Sequence, residues 1–362
     1  MRRSIPAIAI AAILTLALAA CGSSSSTTST GSGSSGASGT VNGAGATFSA
    51  PIYMQWGSTL KGQGVTVNYQ GVGSGAGIAQ LQAGTVDFAG SDPPLAPADK
   101  ALLKKGPVTQ LPMALGAITV SYNLSGVKAG LKLDGATIAD IFLKKITKWN
   151  DPAIAKLNPG ITLPSTAITV VHRSDSSGTT KGFAQFLADF SPQWKSQVGV
   201  DKTLKWPTGT GAKGNDGVAA AIKQTPGAVG YVEQAYALQN NFTYASVKNS
   251  SGNYIAPTLD STSAAADGIT VPPDLGIVAI NSPNPQAYPI TSQTFVVMYT
   301  DLCKDGGMTS SNAKAMKAFV DYGLGDGQPV LKQLSYAALP SSVLTPAKAA
   351  AAKLTCNGTA IS

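Results

Sequence analysis

Between positions 171 and 180 the run Val171-His172-Arg173-Ser174-Asp175-Ser176-Ser177-Gly178-Thr179-Thr180 combines one arginine with several small hydroxyl residues. Arginine presents a planar fork of donors that matches carboxylate and phosphate, and Ser and Thr hydroxyls add rotatable donors, so the chemistry on offer is oxyanion binding. Ile168, Val170 and Val171 read as the end of a buried strand. Phe183, Phe186, Leu187 and Phe190 then recur at helical spacing, which predicts a helix N-terminus over Ser176 to Thr180. Free backbone N–H groups and the positive end of a helix dipole would face whatever lies in front of that turn. The same residues also make an ordinary capped helix with a surface arginine, and this segment alone does not separate the two.

The elements that would position such a site follow a recurring plan of apolar strand, small-residue turn and amphipathic helix. Val65, Val67 and Tyr69 alternate as in a strand, Gly71-Val72-Gly73-Ser74-Gly75-Ala76-Gly77 follows, and Ile78 and Leu81 open a helical face. Gly43-Ala44-Gly45-Ala46-Thr47-Phe48 precedes Ile52, Met54, Trp56 and Leu60, a second glycine-rich approach to a helix. Val86 to Gly90 reads as a short strand ending in Ser91-Asp92-Pro93-Pro94, where Pro93 holds Asp92 extended. Several chemistries are disfavoured. The stretch at Gly73 lacks the full dinucleotide pattern, and no Gly-Lys-Ser/Thr ending follows Gly209. Gly-x-Ser-x-Gly does not occur at Ser74 or Ser177. The one histidine, His172, adjoins Arg173 on a strand where neighbours face opposite ways, so an inward Arg173 sends His172 outward.

Composition sets the class. The chain is 43% apolar and 12% charged, with a formal charge of +8, which argues against a disordered or nucleic-acid-binding protein. Arg2 and Arg3 precede an apolar run of 16 residues, Ile5 to Ala20, short for a membrane span and typical of a secretory signal. Leu18-Ala19-Ala20-Cys21 looks like a bacterial lipobox, in which Cys21 is acylated and becomes the new N-terminus; an uncleaved anchor helix is the alternative. Residues 1–20 are thus expected to be a signal peptide, and 21–40, almost wholly Ser, Thr and Gly, a lipidated flexible tether. The 322 residues from Val41 onward exceed what one core usually serves, so two domains are expected. Cys303 and Cys356 then remain in a compartment where disulfides persist, and a bridge between them is expected. With no Cys-x-x-Cys and one His, no metal site and no cofactor is expected.

Taken together, Gly43 to Phe48, Tyr69-Gln70-Gly71-Val72-Gly73-Ser74-Gly75-Ala76-Gly77, Ser91-Asp92, Trp206-Pro207-Thr208-Gly209, Gly214-Asn215-Asp216-Gly217-Val218, Gly230-Tyr231-Val232-Glu233 and Tyr288-Pro289-Ile290 resemble the phosphate-specific solute-binding proteins of ABC transporters, the PstS family. The resemblance runs from Gly43 nearly to Leu339. It implies an α/β fold of the two-lobed periplasmic-binding-protein type II, with two extended hinge crossings and the ligand enclosed between the lobes. Lobe one would be 41–115 plus 288–362, and lobe two 116–287. It also implies a phosphate shell of Thr47, Phe48 through its backbone N–H, Ser74, Asp92, Arg173, Ser177, Gly178 and Thr179, with Asp175 orienting Arg173. His172 stands where the family often has arginine, a departure expected to alter only local surface charge.

The function so implied is extracytoplasmic binding of inorganic phosphate by a monomeric, lipid-anchored protein that delivers it to membrane permease subunits, with no catalysis and no nucleic acid. Hydroxyls, N–H groups and helix termini must replace the water around a buried anion. Asp92, ionised and purely an acceptor, would welcome the proton on phosphate and oppose sulfate, and such sites separate analogues by roughly 10⁴ to 10⁵ fold. Two rivals remain: a carrier for another oxyanion, and a secreted phosphatase using Ser177 or Thr47, which lacks a base.

Overall fold

The computed structural model describes residues 37–361. Gly39–Gly45, Val65–Gly71 and Phe88–Ser91 form three parallel strands: Gly43 lies opposite Tyr69 on one side and Phe88 on the other. Thr169–Arg173, Thr210–Ala212 and Ala228–Glu233 form a second parallel set, with Val171 opposite both Thr210 and Gly230. The strand Val108–Tyr122, buried along nearly its whole length, serves both. Its residues Val108–Ala117 pair antiparallel with Thr291–Tyr299, which in turn pairs with Phe88–Ser91. Its last part, Ile118–Tyr122, pairs antiparallel with Val229–Glu233. The result is one nine-stranded mixed sheet.

Strand direction decides where a ligand can sit. The first set runs with Val108–Tyr122 along its first part and the second set runs against it along its last part, so both sets aim their carboxyl ends at its middle. Crevices outside the carboxyl ends of parallel strands are the usual ligand sites of α/β sheets. Beside this middle the chain passes a second time: the Ile118 N–H donates to Ile290 O at 2.8 Å and the Tyr288 hydroxyl to Ile118 O at 3.0 Å.

Each half has its own aromatic cluster. Tyr53, Trp56, Tyr69, Phe88 and Phe319 meet edge-on, tilted or stacked in the first. Phe183 stacks on Tyr231 and Trp206 on His172 in the second, pairs that add about 0.5 to 1.5 kcal/mol beyond burial. Cys303 and Cys356 are bridged, with Cα atoms 4.7 Å apart.

Three local readings need correction. The first strand begins at Gly39, inside the stretch assigned to the tether, because backbone pairing to Val65 and Thr66 and the bond from Thr40 N–H to Asn312 need no apolar side chain at 39 or 40. Met54 faces solvent and Tyr53 takes the buried place, as a helical rather than alternating period demands. His172 does turn away from Arg173's side chain but is no surface residue: it is buried, stacked on Trp206 at 4.5 Å, with burial lowering its pKa. The signal segment, Cys21 and most of the tether lie outside the described residues.

Candidate functional site

Four strands of the two parallel sets, all but Thr210–Ala212 and Ala228–Glu233, lead into the turns named above, and the helices Ala50–Lys61, Ser74–Ala83, Pro97–Leu102 and Gly178–Phe190 follow them. The predicted helix start at Ser176 to Thr180 is capped by Ser177, whose hydroxyl accepts from Thr180 N–H at 3.1 Å. That leaves the helix's first N–H groups pointing forward.

The structure brings the eight expected ligand residues together, and none of the seven that carry side chains beyond hydrogen is more than 5% exposed. Gly178 is the meeting point. Its N–H donates to Ser74 Oγ at 3.2 Å, and a Cβ there would lie 2.6 Å from each of Asp92 Oδ2, Pro93 Cδ and Ser74 Oγ, so only glycine fits. Gly73 is constrained in the same way: its φ is +94°, and a Cβ would come within 2.5 Å of Asp175 Oδ2. The glycine-rich turn after Val65–Gly71 and the turn after Thr169–Arg173 are thus packed face to face.

Arg173 is buried and held in place by Asp175. Nε donates to Asp175 Oδ1 at 2.7 Å and Nη2 to Oδ2, while Nη1 reaches Thr179 Oγ1 at 3.5 Å. Burial opposes the Asp175 charge, but the bonds and the charge of Arg173 outweigh it and hold the carboxyl below its ordinary range. Gly214 N–H also donates to Asp175 Oδ1. Asp92 follows the Phe88–Ser91 strand and is almost fully enclosed. Burial pushes its carboxyl up to about 7, against the pull of Thr294, Arg173 and Thr179. Without ligand, the Asp92 carboxyl is thus raised toward neutral pH. Neither the Phe48 N–H nor the Thr179 N–H has an acceptor among the described residues.

Sequence reasoning missed several members. Thr294 Oγ1 donates to Asp92 Oδ1 at 3.1 Å and Gln293 Nε2 to the Asp92 carbonyl at 2.8 Å. Asn215 reaches Thr47, Tyr236 donates to the Thr47 carbonyl at 2.7 Å, and Tyr336 joins the Phe48 carbonyl to Glu233 Oε2. Asn215 and Glu233 lie in the motifs Gly214 to Val218 and Gly230 to Glu233, so a signal existed for them; Thr294, Gln293 and Tyr336 had none.

A family model described as a PBP superfamily domain matches residues 30–326. The phosphate-binding protein PstS of Pasteurella multocida is 42% identical over 309 residues, covering 84% of this chain and 88% of that protein. That of Xylella fastidiosa strain 9a5c is 41% identical over 308 residues, covering 84% and 82%. The chain belongs to the PstS family. Among solved structures, a high-affinity periplasmic phosphate-binding protein (PfluDING) bound with phosphate superposes with a TM-score of 0.71 at 22% identity, over 88% of this chain and 97% of that one. At that identity the likeness speaks for the fold, and it agrees with the mixed sheet and central crevice of a PstS protein.

Proposed function

We propose that this protein binds inorganic phosphate outside the cytoplasm and presents it to an ABC permease; its relatives from Xylella fastidiosa and Pasteurella multocida are named phosphate-binding proteins. The observation that carries the reading is the burial, at one end of the strands, of a clamped arginine, two unsatisfied backbone N–H groups, four hydroxyls and one carboxyl, Asp92, which packs against Ser74 and Gly178. That set supplies donors for a tetrahedral anion and one carboxylate acceptor. Donors compensate the desolvation of the charge. The acceptor matches the one group that phosphate has and sulfate lacks, its proton.

Thr47, Phe48, Ser74, Asp92, Arg173, Ser177, Gly178 and Thr179 form the proposed shell, with Asp175 fixing Arg173. Residues 41–115 with 288–362 and residues 116–287 are the proposed lobes, which part to admit the ligand and close over it. Residues 1–20 serve as a signal peptide, and acylated Cys21 with its tether anchors a monomeric binding domain to the membrane. Among the described residues the two carboxylates of the site are engaged with partners other than Ser177 and Thr47: Asp92 meets Thr294 and Asp175 meets Arg173. This arrangement favours binding over hydrolysis.

Isothermal titration of the purified protein with phosphate and sulfate, beside an aryl phosphate turnover assay, tests the reading. Phosphate should bind tightly, sulfate far more weakly, and turnover should be absent. Arg173→Ala should weaken phosphate by tenfold to several hundredfold, since hydrogen bonds to charged groups contribute roughly 1.5 to 3 kcal/mol each. An unchanged dissociation constant in that variant would move the site elsewhere.

A further inference from the structure

Asn215 belongs to no ligand set proposed above, yet it is fully buried and all of its polar side-chain atoms are used. It sits at the start of the helix Gly214–Gln224, next to Gly214, whose N–H donates to Asp175 Oδ1 at 3.1 Å. Its backbone N–H donates to Thr47 Oγ1 at 3.2 Å and its Nδ2 to the same oxygen at 2.9 Å. Its Oδ1 accepts from the Glu233 N–H at 3.0 Å. Because a backbone N–H can only donate, that last bond fixes which end of the amide is oxygen, and Nδ2 must face Thr47.

A hydroxyl has two lone pairs and one proton. Asn215 fills both lone pairs of Thr47, so its proton alone remains to make a bond outward. The Thr47 methyl is enclosed as well: a Cβ on Gly71 would lie 3.0 Å from it and one on Gly214 3.4 Å. The Thr47 carbonyl is held in addition by the Tyr236 hydroxyl. Ser74 Oγ shows the same arrangement, accepting from Asp92 N–H at 3.4 Å and Gly178 N–H at 3.2 Å. We propose that Asn215 is a specificity-determining positioning residue that makes the Thr47 hydroxyl an obligatory donor to the bound anion. With Thr47 and Ser74 both restricted to donating, two of the four shell hydroxyls cannot accept the proton on phosphate, which concentrates that role on the Asp92 carboxylate. Thr47 belongs to the first proposed lobe and Asn215 to the second, so this restriction is assembled only when the lobes meet.

The inference rests on the proposed phosphate shell, and a double-substitution cycle read by phosphate titration separates the two. Asn215→Ala should weaken phosphate about tenfold or more, Thr47→Val by a comparable or larger factor, and the double variant by no more than about threefold beyond Thr47→Val, because Asn215 acts through that hydroxyl. Asn215→Asp keeps the volume but takes the Thr47 proton instead of filling its lone pair. It should weaken phosphate more than alanine does, and it carries the test if the alanine variant fails to fold in a melt without ligand. Fully additive costs, or affinity within threefold of the parent in both Asn215 variants, would overturn the inference while Arg173→Ala still weakened binding. If Thr47→Val and Arg173→Ala are both silent, the proposed shell is wrong and this inference falls with it.

Discussion

Sulfate affinity should depend on pH chiefly through Asp92. Sulfate carries no proton between pH 6 and 8, so an ionised Asp92 meets it as a like charge, whereas a protonated Asp92 can donate to one of its oxygens. With the carboxyl raised to about 7 by burial, the protonated fraction is about one in eleven at pH 8 and ten in eleven at pH 6. If only that fraction binds sulfate, affinity should rise about tenfold on going from pH 8 to pH 6. Of the neighbouring groups, Asp175 is held low by its bonds to Arg173, and burial lowers the pKa of His172. Glu233, also coupled to Asp92 and pushed well up by burial, is common to parent and variant. Asp92→Asn presents a permanent amide donor, so its sulfate affinity should be flat with pH, and its preference for phosphate should shrink by roughly 1 to 3 kcal/mol or more. The same group gives a ligand-free readout. The native carboxyl keeps its proton to about pH 7 and the unfolded one loses it near 3.8, so the native state binds more protons between these values and stability falls as pH rises across them, by on the order of 4 kcal/mol. Urea melts of parent and Asp92→Asn at pH 5 and pH 8 should diverge accordingly. A sulfate affinity that is flat in the parent, or one that climbs equally in the asparagine variant, would refute the reasoning.

Two further outcomes concern the ends of the chain. Reducing the Cys303–Cys356 bridge, which closes a sequence separation of 53, should lower stability by about 4 kcal/mol in the chain-entropy model while leaving phosphate affinity unchanged; alkylation before and after reduction, with melts, checks it, and two freely reactive thiols in the native protein would contradict the bridge. Cys21→Ala should abolish acylation and release or misprocess the precursor while phosphate binding persists; an altered protein that still partitions into detergent as a mature lipoprotein would contradict the lipobox.

What could be read from the chain alone was whatever is local. A strand, a turn and a helix succeed one another within about twenty residues at Thr169 to Phe190, and the periodicity, the cap at Ser177 and the arginine are all contained in that span. The motifs at Gly43, Gly71 and Ser91 repeat that local plan, which is why their residues could be set beside one another by resemblance. What could not be read depends on register. Phe295 lies opposite Ser91 in the antiparallel pair, and one step further along places Thr294 against Asp92, a contact across 202 positions. A β-bulge between Thr294 and Phe295 in the pairing with Val108–Ala117 shifts that strand at the same place. No composition or spacing near Asp92 or Thr294 encodes the offset. Tyr336 reaches Phe48 and Glu233 from an irregular segment with no period at all. His172 marks the boundary between the two kinds of information: alternation gave its direction correctly, since that depends only on its neighbour Arg173. Its burial depends on Trp206, which arrives from a different turn and stacks on it. The side chains most exposed to this limit are those that hold ligand residues without touching ligand, because each is defined by a partner chosen by the sheet rather than by its own neighbours in sequence. Asn215 and Thr294 should therefore tolerate substitution in the fold better than in selectivity, and it is selectivity that must be measured to find such residues.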